Sequence, residues 1–381
     1  MTSERTERQS ASLEADPVAI LEALQACPTA PFHEAYVAAR IRELCRDHDL
    51  SVTADPYGNL LVRPSPDSEP PAAGRTIAFC AHMDHPAFEV TEADPLTGTL
   101  LGGVGTATFE RPVPVRFITP QATVSGRVMG REREQPDGTT RLRLEADGPV
   151  PVGTIGIWDV GPFRREGDLL HGPAMDDLAG CAAILAALAE CRRRGTGGGA
   201  LGIFTRAEEV GLIGATLIAR QRLLPDDAIV VSLEASHALP GAVMGGGPVI
   251  RVGDRSTAFH PDGEALLRRA GARLVETHPE LTVQRQLMSG GTCEATAFLL
   301  AGYAATGVAF PLGNYHNGGP DGAIAAEYID RRDLETGTLL LVAAAEEMTR
   351  PAEPDPVYVR LETRADAASG RLIQTARTWV A

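Results

Sequence analysis

The stretch Ala200-Leu-Gly-Ile-Phe-Thr205 is a continuous apolar run that passes straight into Arg206-Ala-Glu208-Glu209-Val-Gly-Leu-Ile-Gly214. A short apolar run behind a glycine cluster reads as a strand. Leu178 to Arg193 before it and Gly214 to Gln221 after it read as helices, and Ala228 to Leu233 reads as the next strand. Helices and strands that alternate in this way predict an α/β sheet.

Further toward the N-terminus, Phe88 to Val160 changes texture to short β-rich pieces, with a hairpin expected from Thr123 to Leu144 and its tip at Gln135-Pro-Asp-Gly138. No segment of helical period interrupts it, so residues 90–161 read as an inserted β domain. Before it, Arg75 to His82 reads as a buried strand, Ser51-Val-Thr-Ala54 and Leu60-Leu-Val-Arg63 as a hairpin, and Pro17 to Leu50 as helical with a break at Cys27-Pro-Thr-Ala-Pro31. On the C-terminal side a helix is expected to open at Gly290-Gly-Thr-Cys-Glu-Ala295, followed by a strand from Ala304 to Phe310 and an amphipathic helix from Asp333 to Met348. Residues 1–16 are expected to be a loose tail, and 17–89 with 162–350 one catalytic domain. A C-terminal extension, 351–381, opens on the proline-rich Pro351-Ala-Glu-Pro-Asp-Pro356 and carries a strand or a helix pair.

The chain has 381 residues, 44% of them hydrophobic, enough for one large domain and a smaller insert. No apolar run approaches the roughly 20 residues needed to span a bilayer. The net charge of −15 argues against nucleic acid or an anionic membrane as the main partner. The polar start Met1-Thr-Ser-Glu-Arg-Thr-Glu-Arg has no secretory pattern, which places the chain in the cytoplasm. The six cysteines, without a CxxC pair, read as reduced core thiols. All 35 basic residues are arginine. The absence of lysine excludes Walker A phosphate loops, kinases, pyridoxal phosphate enzymes and Schiff-base aldolases.

Ligand chemistry recurs along the chain. His82 ends a strand, and Asp84 two residues on is expected to accept the second imidazole N–H and set the tautomer. Asp176-Asp177 precedes a helix and would alone read as a cap. Glu208-Glu209 pairs two acids whose repulsion a cation would relieve. Glu234 ends an apolar strand, where an unpartnered acid is costly. His316 lies in the turn Gly313-Asn-Tyr-His-Asn-Gly-Gly319. Each alone has an ordinary explanation; the ordered set at strand ends points to a metal site.

The segments Asp55-Pro-Tyr-Gly-Asn-Leu60, Ala81-His-Met-Asp84, Ala174-Met-Asp-Asp-Leu-Ala-Gly180, Ala207-Glu-Glu-Val-Gly-Leu-Ile-Gly-Ala215, Leu233-Glu234, Met244-Gly-Gly-Gly-Pro-Val-Ile250 and Pro311-Leu-Gly-Asn-Tyr-His-Asn317 resemble the M42 family of dinuclear metallo-aminopeptidases, in the wider clan that includes M20 and M28. The resemblance runs from about Pro17 to Met348. It implies a three-layer αβα domain with a mixed sheet, interrupted by a small β-barrel. It also implies that His82 and Glu234 hold one divalent ion and Glu209 and His316 the other. Asp176 would bridge them, Glu208 would act as general base on the bridging water, and Asp84 would orient His82. The mixed N/O set suits Zn²⁺, with Co²⁺ or Mn²⁺ able to substitute. Small peptides are the implied substrates and a homo-oligomer the implied assembly.

Three positions depart from the family pattern. His85 stands where an acid is usual, Leu178 where arginine is usual, and Gly291-Thr-Cys-Glu-Ala295 replaces Gly-Thr-Asp-Ala. Other readings stay open: an M20-like amidohydrolase or carboxypeptidase using the same metal centre, a cysteine enzyme built on Cys293 at a helix N-terminus, and a non-enzymatic binding protein.

Overall fold

The computed structural model describes residues 13, 15–65, 75–132, 138–350, 354 and 356–376. Most of the expected N-terminal tail, and residues 135–137 of the expected hairpin tip, lie outside these. The chain divides into two units, Met1–Met348 and Thr349–Ala381.

In the first unit the elements are α1 (Pro17–Gln25), α2 (Ala35–Asp47), β1 (Ser51–Ala54), β2 (Leu60–Arg63), β3 (Ile77–His82), β4 (Ala87–Ala93), β5 (Leu96–Leu101), β6 (Val113–Ile118), β7 (Thr123–Arg131), β8 (Arg141–Ala146) and β9 (Ile155–Trp158). They continue as β10 (Arg164–Glu166), β11 (Leu169–Gly172), α3 (Met175–Arg194), β12 (Ala200–Thr205), α4 (Ile213–Arg220), β13 (Ile229–His237), β14 (Val249–Arg251), α5 (Pro261–Thr277), β15 (Gln284–Gln286), α6 (Glu294–Leu300), β16 (Ala304–Leu312), β17 (Glu327–Asp330) and α7 (Arg331–Glu347).

An eight-stranded mixed sheet has the order β1-β2-β12-β3-β13-β16-β14-β15, with β12, β3, β13 and β16 parallel at its centre. Period-2 alternation divides these central strands between two cores. Ile77, Phe79 and Ala81 of β3 join the core with α1, α3, α5 and α7. Ala78 and Cys80 join the opposite core with Ile218 of α4 and Phe298 of α6. A sheet buried on both faces between helices is the three-layer αβα arrangement.

Strands β4-β5-β8-β7-β6-β9 close into a barrel with its own core of Phe88, Val90, Phe117, Val128, Leu142 and Trp158. Gly156 is required there, because a Cβ at that position would lie 2.0 Å from Cζ of Phe88. The third sheet, β10-β11-β17, joins two strands that lie between the barrel and α3 in sequence to a strand directly before α7, and pairs Gly172 with Glu327.

Two local expectations change. β13 runs on to His237, so Glu234 sits inside a strand opposite Ala309, because Ala235, Ser236 and His237 keep pairing with Phe310, Pro311 and Leu312. Among the described residues the second unit contains one helix, α8 (Pro356–Ala376), in place of a strand or helix pair.

Candidate metal centre

Parallel strands put their C-terminal ends on one edge, where ligands collect. His82 is the last residue of β3 and Glu234 lies near the end of β13. Glu208 and Glu209 follow β12, and His316 follows β16 through a tight turn in which Asn314, His316 and Asn317 all have positive φ (55°, 52° and 58°). Asp176 enters from the junction of β11 and α3, where Asp176 and Asp177 are not yet helical.

The structure brings the predicted side chains together. Asp176 stands between the two histidines, with Oδ1 3.3 Å from His82 Nε2 and Oδ2 3.6 Å from His316 Nε2. Glu209 Oε1 is 3.3 Å from His316 Nε2, and Glu208 and Glu234 each place Oε2 3.9 Å from His82 Nε2. Candidate donor atoms of His82, Asp176 and Glu234 lie within 4.8 Å of one another, as do those of Asp176, Glu209 and His316. A third such group joins His82, Glu208 and Glu209.

The chemistry of the set suits cations. Asp176 Oδ1, Glu209 Oε1 and Glu234 Oε1 are buried without a hydrogen-bond partner. Burial pushes the carboxyls of Glu208 and Glu234 well above the usual range, and neighbouring acids add to it. Burial alone would lower His82 and His316, but facing carboxylates outweigh it and raise both. Asp176 is held low despite burial by the two imidazoles that face it. Orphaned buried oxygens beside two imidazoles fit divalent ions that accept mixed N/O ligands.

The supporting contacts differ in part from the sequence reading. His82 Nδ1 lies 3.1 Å from the main-chain oxygen of Asp84, while the Asp84 carboxylate is 3.7 Å away. That carboxylate instead accepts the main-chain N–H groups of Glu208 and Glu209 at 3.0 and 3.1 Å. β3 ends at His82, so strand alternation no longer aims residue 84. Asp177 caps the helix, accepting Gly180 N–H at 3.1 Å, so the acid pair divides into one cap and one candidate ligand.

Glu327 was not singled out by sequence; it is an acid in a four-residue strand with no motif around it. Its carboxylate accepts the N–H groups of Asp176 and His316. His85 is buried, with Nδ1 2.7 Å from the Asp176 carbonyl and Nε2 2.8 Å from Asn317 Oδ1. A barrel loop closes the other side, the Gly103 carbonyl meeting His316 Nδ1. Cys293 is buried and its thiol is pushed up to about 12, mainly by burial, which removes the thiolate that a cysteine enzyme needs.

The centre opens into a cavity of about 720 Å³ whose wall includes Glu208, Glu234, Arg251, Cys293 and Tyr315. A family model described as M42 glutamyl aminopeptidase matches residues 137–336, more than half of the chain. The chain belongs to the M42 family. It is therefore an aminopeptidase-type hydrolase of a metal-dependent family. A protein of Acetivibrio thermocellus, named provisionally as an aminopeptidase, is 27% identical over 310 residues, which cover 77% of this M42 chain and 87% of that protein. The fold is shared with the TET aminopeptidase of a marine-sediment thaumarchaeon (TM-score 0.71, 21% identity, 87% of this chain and 96% of the other). It is also shared with the Pyrococcus horikoshii TET1 peptidase, described as assembling into a tetrahedron or a large octahedral shell (TM-score 0.69, 21% identity, 86% and 99%). Among the described residues no helix is long and apolar enough to cross a membrane.

Proposed function

We propose that this M42 chain is a dinuclear metal-dependent exopeptidase that hydrolyses the N-terminal peptide bond of small peptides. The observation that carries the reading is the position of Asp176 between His82 and His316, shared by two donor groups. His82 and Glu234 would hold one ion, Glu209 and His316 the other, and Asp176 both. When bound, two such ions polarise the scissile carbonyl and make water a nucleophile near neutral pH, with Zn²⁺ the first choice and Co²⁺ or Mn²⁺ as substitutes.

Glu208 is the general base. It takes a proton from the attacking water as the C–O bond forms and gives it to the amine nitrogen as the C–N bond breaks. Its half-buried carboxylate lines the cavity. Asp84 is a positioning residue: its carboxylate holds the backbone of Glu208 and Glu209, and its carbonyl faces His82.

In this reading residues 17–89 and 162–350 form the catalytic domain, 90–161 the inserted barrel and 351–381 an extension. The TET neighbours support a homo-oligomer, and the acidic chain with reduced cysteines supports the cytoplasm. The test is elemental analysis together with hydrolysis of aminoacyl-p-nitroanilides before and after chelation. About two metals per chain and metal-restored cleavage are expected. Full activity in metal-free protein would overturn the reading.

A further inference from the structure

His82 and His316 are held by different parts of the chain. His82 Nδ1 faces the carbonyl of Asp84, two residues on, and the Cys181 thiol donates to the His82 carbonyl at 3.2 Å. His316 Nδ1 instead meets the carbonyl of Gly103, 213 residues away beside the inserted barrel. A carbonyl only accepts, so in the neutral His316 ring the proton sits on Nδ1. Nε2 then keeps its lone pair toward Glu209 Oε1 and Asp176 Oδ2, 3.3 and 3.6 Å away.

Gly103 belongs to the connection between β5 and β6, which carries a short 3₁₀ turn at Thr106–Glu110. This strap is rooted in the barrel, since Phe109 is buried in the barrel core with its ring centre 6.1 Å from that of Trp158. At its start Gly102 has φ +88°, and a Cβ there would lie 3.1 Å from Pro86 Cα and 3.3 Å from Glu209 Cβ. The strap therefore passes against both residues of one proposed ion position. Further along it fastens to the loop that follows His316: Arg111 Nη2 donates to the Asp321 carbonyl at 2.7 Å, and a Cβ on Gly322 (φ +73°) would come within 3.2 Å of Ala107 Cβ. Ile324 of the same loop packs on the barrel core. Glu234, at the other position, is fixed by the pairing of β13 with β16.

We infer that residues 102–111 are a positioning element of the metal centre: the inserted barrel sets how tightly the Glu209–His316 position holds its ion, and the His82–Glu234 position does not depend on it. The inference rests on the dinuclear reading. A ligating histidine is oriented by the partner of its other ring nitrogen, and loss of such a partner typically costs 10- to 100-fold in metal affinity.

The test is Zn²⁺ uptake by metal-free full-length protein, measured by chelator competition and resolved into two steps. Wild type is compared with Arg111→Ala, Gly322→Ala and Arg111→Lys, which act on the fastening rather than on a ligand. Gly156→Ala, which strains the barrel core against Phe88, is the control. One step should weaken roughly tenfold or more in Arg111→Ala and Gly322→Ala, with the other step and the control at wild-type affinity. Arg111→Lys should recover part of the loss, because an ammonium can still donate to the Asp321 carbonyl. In a His316→Ala background, Arg111→Ala should leave the remaining ion unchanged, and a further loss there would overturn the inference. Two ions in every variant at wild-type affinity, or equal weakening of both, would overturn it and leave the dinuclear reading intact. A wild type that takes up one ion overturns the dinuclear reading. The inference then stands if that ion weakens in Arg111→Ala and Gly322→Ala but not in Gly156→Ala, and otherwise falls. No uptake overturns both.

Discussion

The carboxylate of Glu327 accepts the main-chain N–H of Asp176 on Oε2 at 3.0 Å. Its other oxygen accepts the N–H of His316 at 2.8 Å, so one buried side chain on β17 holds the backbone of two candidate ligands. Supporting groups of this kind typically alter metal affinity by roughly 10- to 100-fold when removed. Glu327→Ala is expected to weaken metal binding by that order, and Glu327→Gln by less because one acceptor remains. Chelator-competition titration measures it; wild-type affinity in both variants would assign Glu327 no part in the centre.

Glu208→Gln is expected to lower kcat by roughly 10²- to 10⁴-fold while metal content stays at the wild-type level. The amide keeps the shape and loses the base. Metal loss in the variant would instead make Glu208 a ligand, in line with its place beside His82 and Glu209.

Chelation removes the counter-charge from a pocket that gathers Asp176, Glu208, Glu209 and Glu234. A ligand at 100 times its Kd stabilises a fold by about 2.7 kcal/mol. Thermal unfolding should move to lower temperature with chelator and return when metal is restored. Superimposable melts would show that the acids are tolerated without a cation.

Glu190 of α3 accepts Arg193 Nε at 2.9 Å and Arg194 Nε at 2.7 Å. The Arg193 hydrogen bond is the main cause that brings its carboxyl down to about 2. A carboxylate depressed on folding adds stability that is complete above its unfolded value near 4.5 and is lost as pH falls toward 2. The stability difference between wild type and Glu190→Gln, from urea unfolding, should therefore shrink between pH 5 and pH 3. A constant difference would deny the linkage.

Gly156→Ala would drive its Cβ into the Phe88 ring at the centre of the barrel. Overpacking of this kind typically costs 1–3 kcal/mol, so a loss of about that size is expected. Denaturant midpoints measure it, and Gly156→Ala with Phe88→Leu should recover part of the loss.

The α/β alternation and the β-rich insert were legible because both are written in local periodicity. Leu178 to Arg193 and Ala200 to Thr205 bury entire faces, and their apolar spacing shows it. His82, Glu208, Glu209 and His316 were legible as polar residues at or just past the ends of apolar strands. Asp176 was ambiguous with a cap, and the structure shows that its neighbour Asp177 does the capping. Glu234 was read as ending its strand, but β13 continues beyond it because its partner β16 is long enough to keep pairing.

By itself, then, the sequence determined the helix and strand alternation from α3 to β13, the β-rich insert and the positions at which metal-ligand chemistry recurs, since these follow from spacing over a few residues, while α5 and the short strands β10, β11, β14, β15 and β17 carried no signal that it read. Only the tertiary structure decided which groups meet. Glu327 reaches Asp176 across 151 residues, His85 reaches Asn317 across 232, and the Asp84 carboxylate turns to main-chain N–H groups more than 120 residues away. Arg251 in Val249-Ile-Arg-Val252 looks like any strand arginine until β14 is laid against Gly307 and its Nε and Nη1 are buried without an acceptor. The physical reason is that burial and hydrogen-bond satisfaction depend on partners brought in by chain topology, and local spacing carries no record of them.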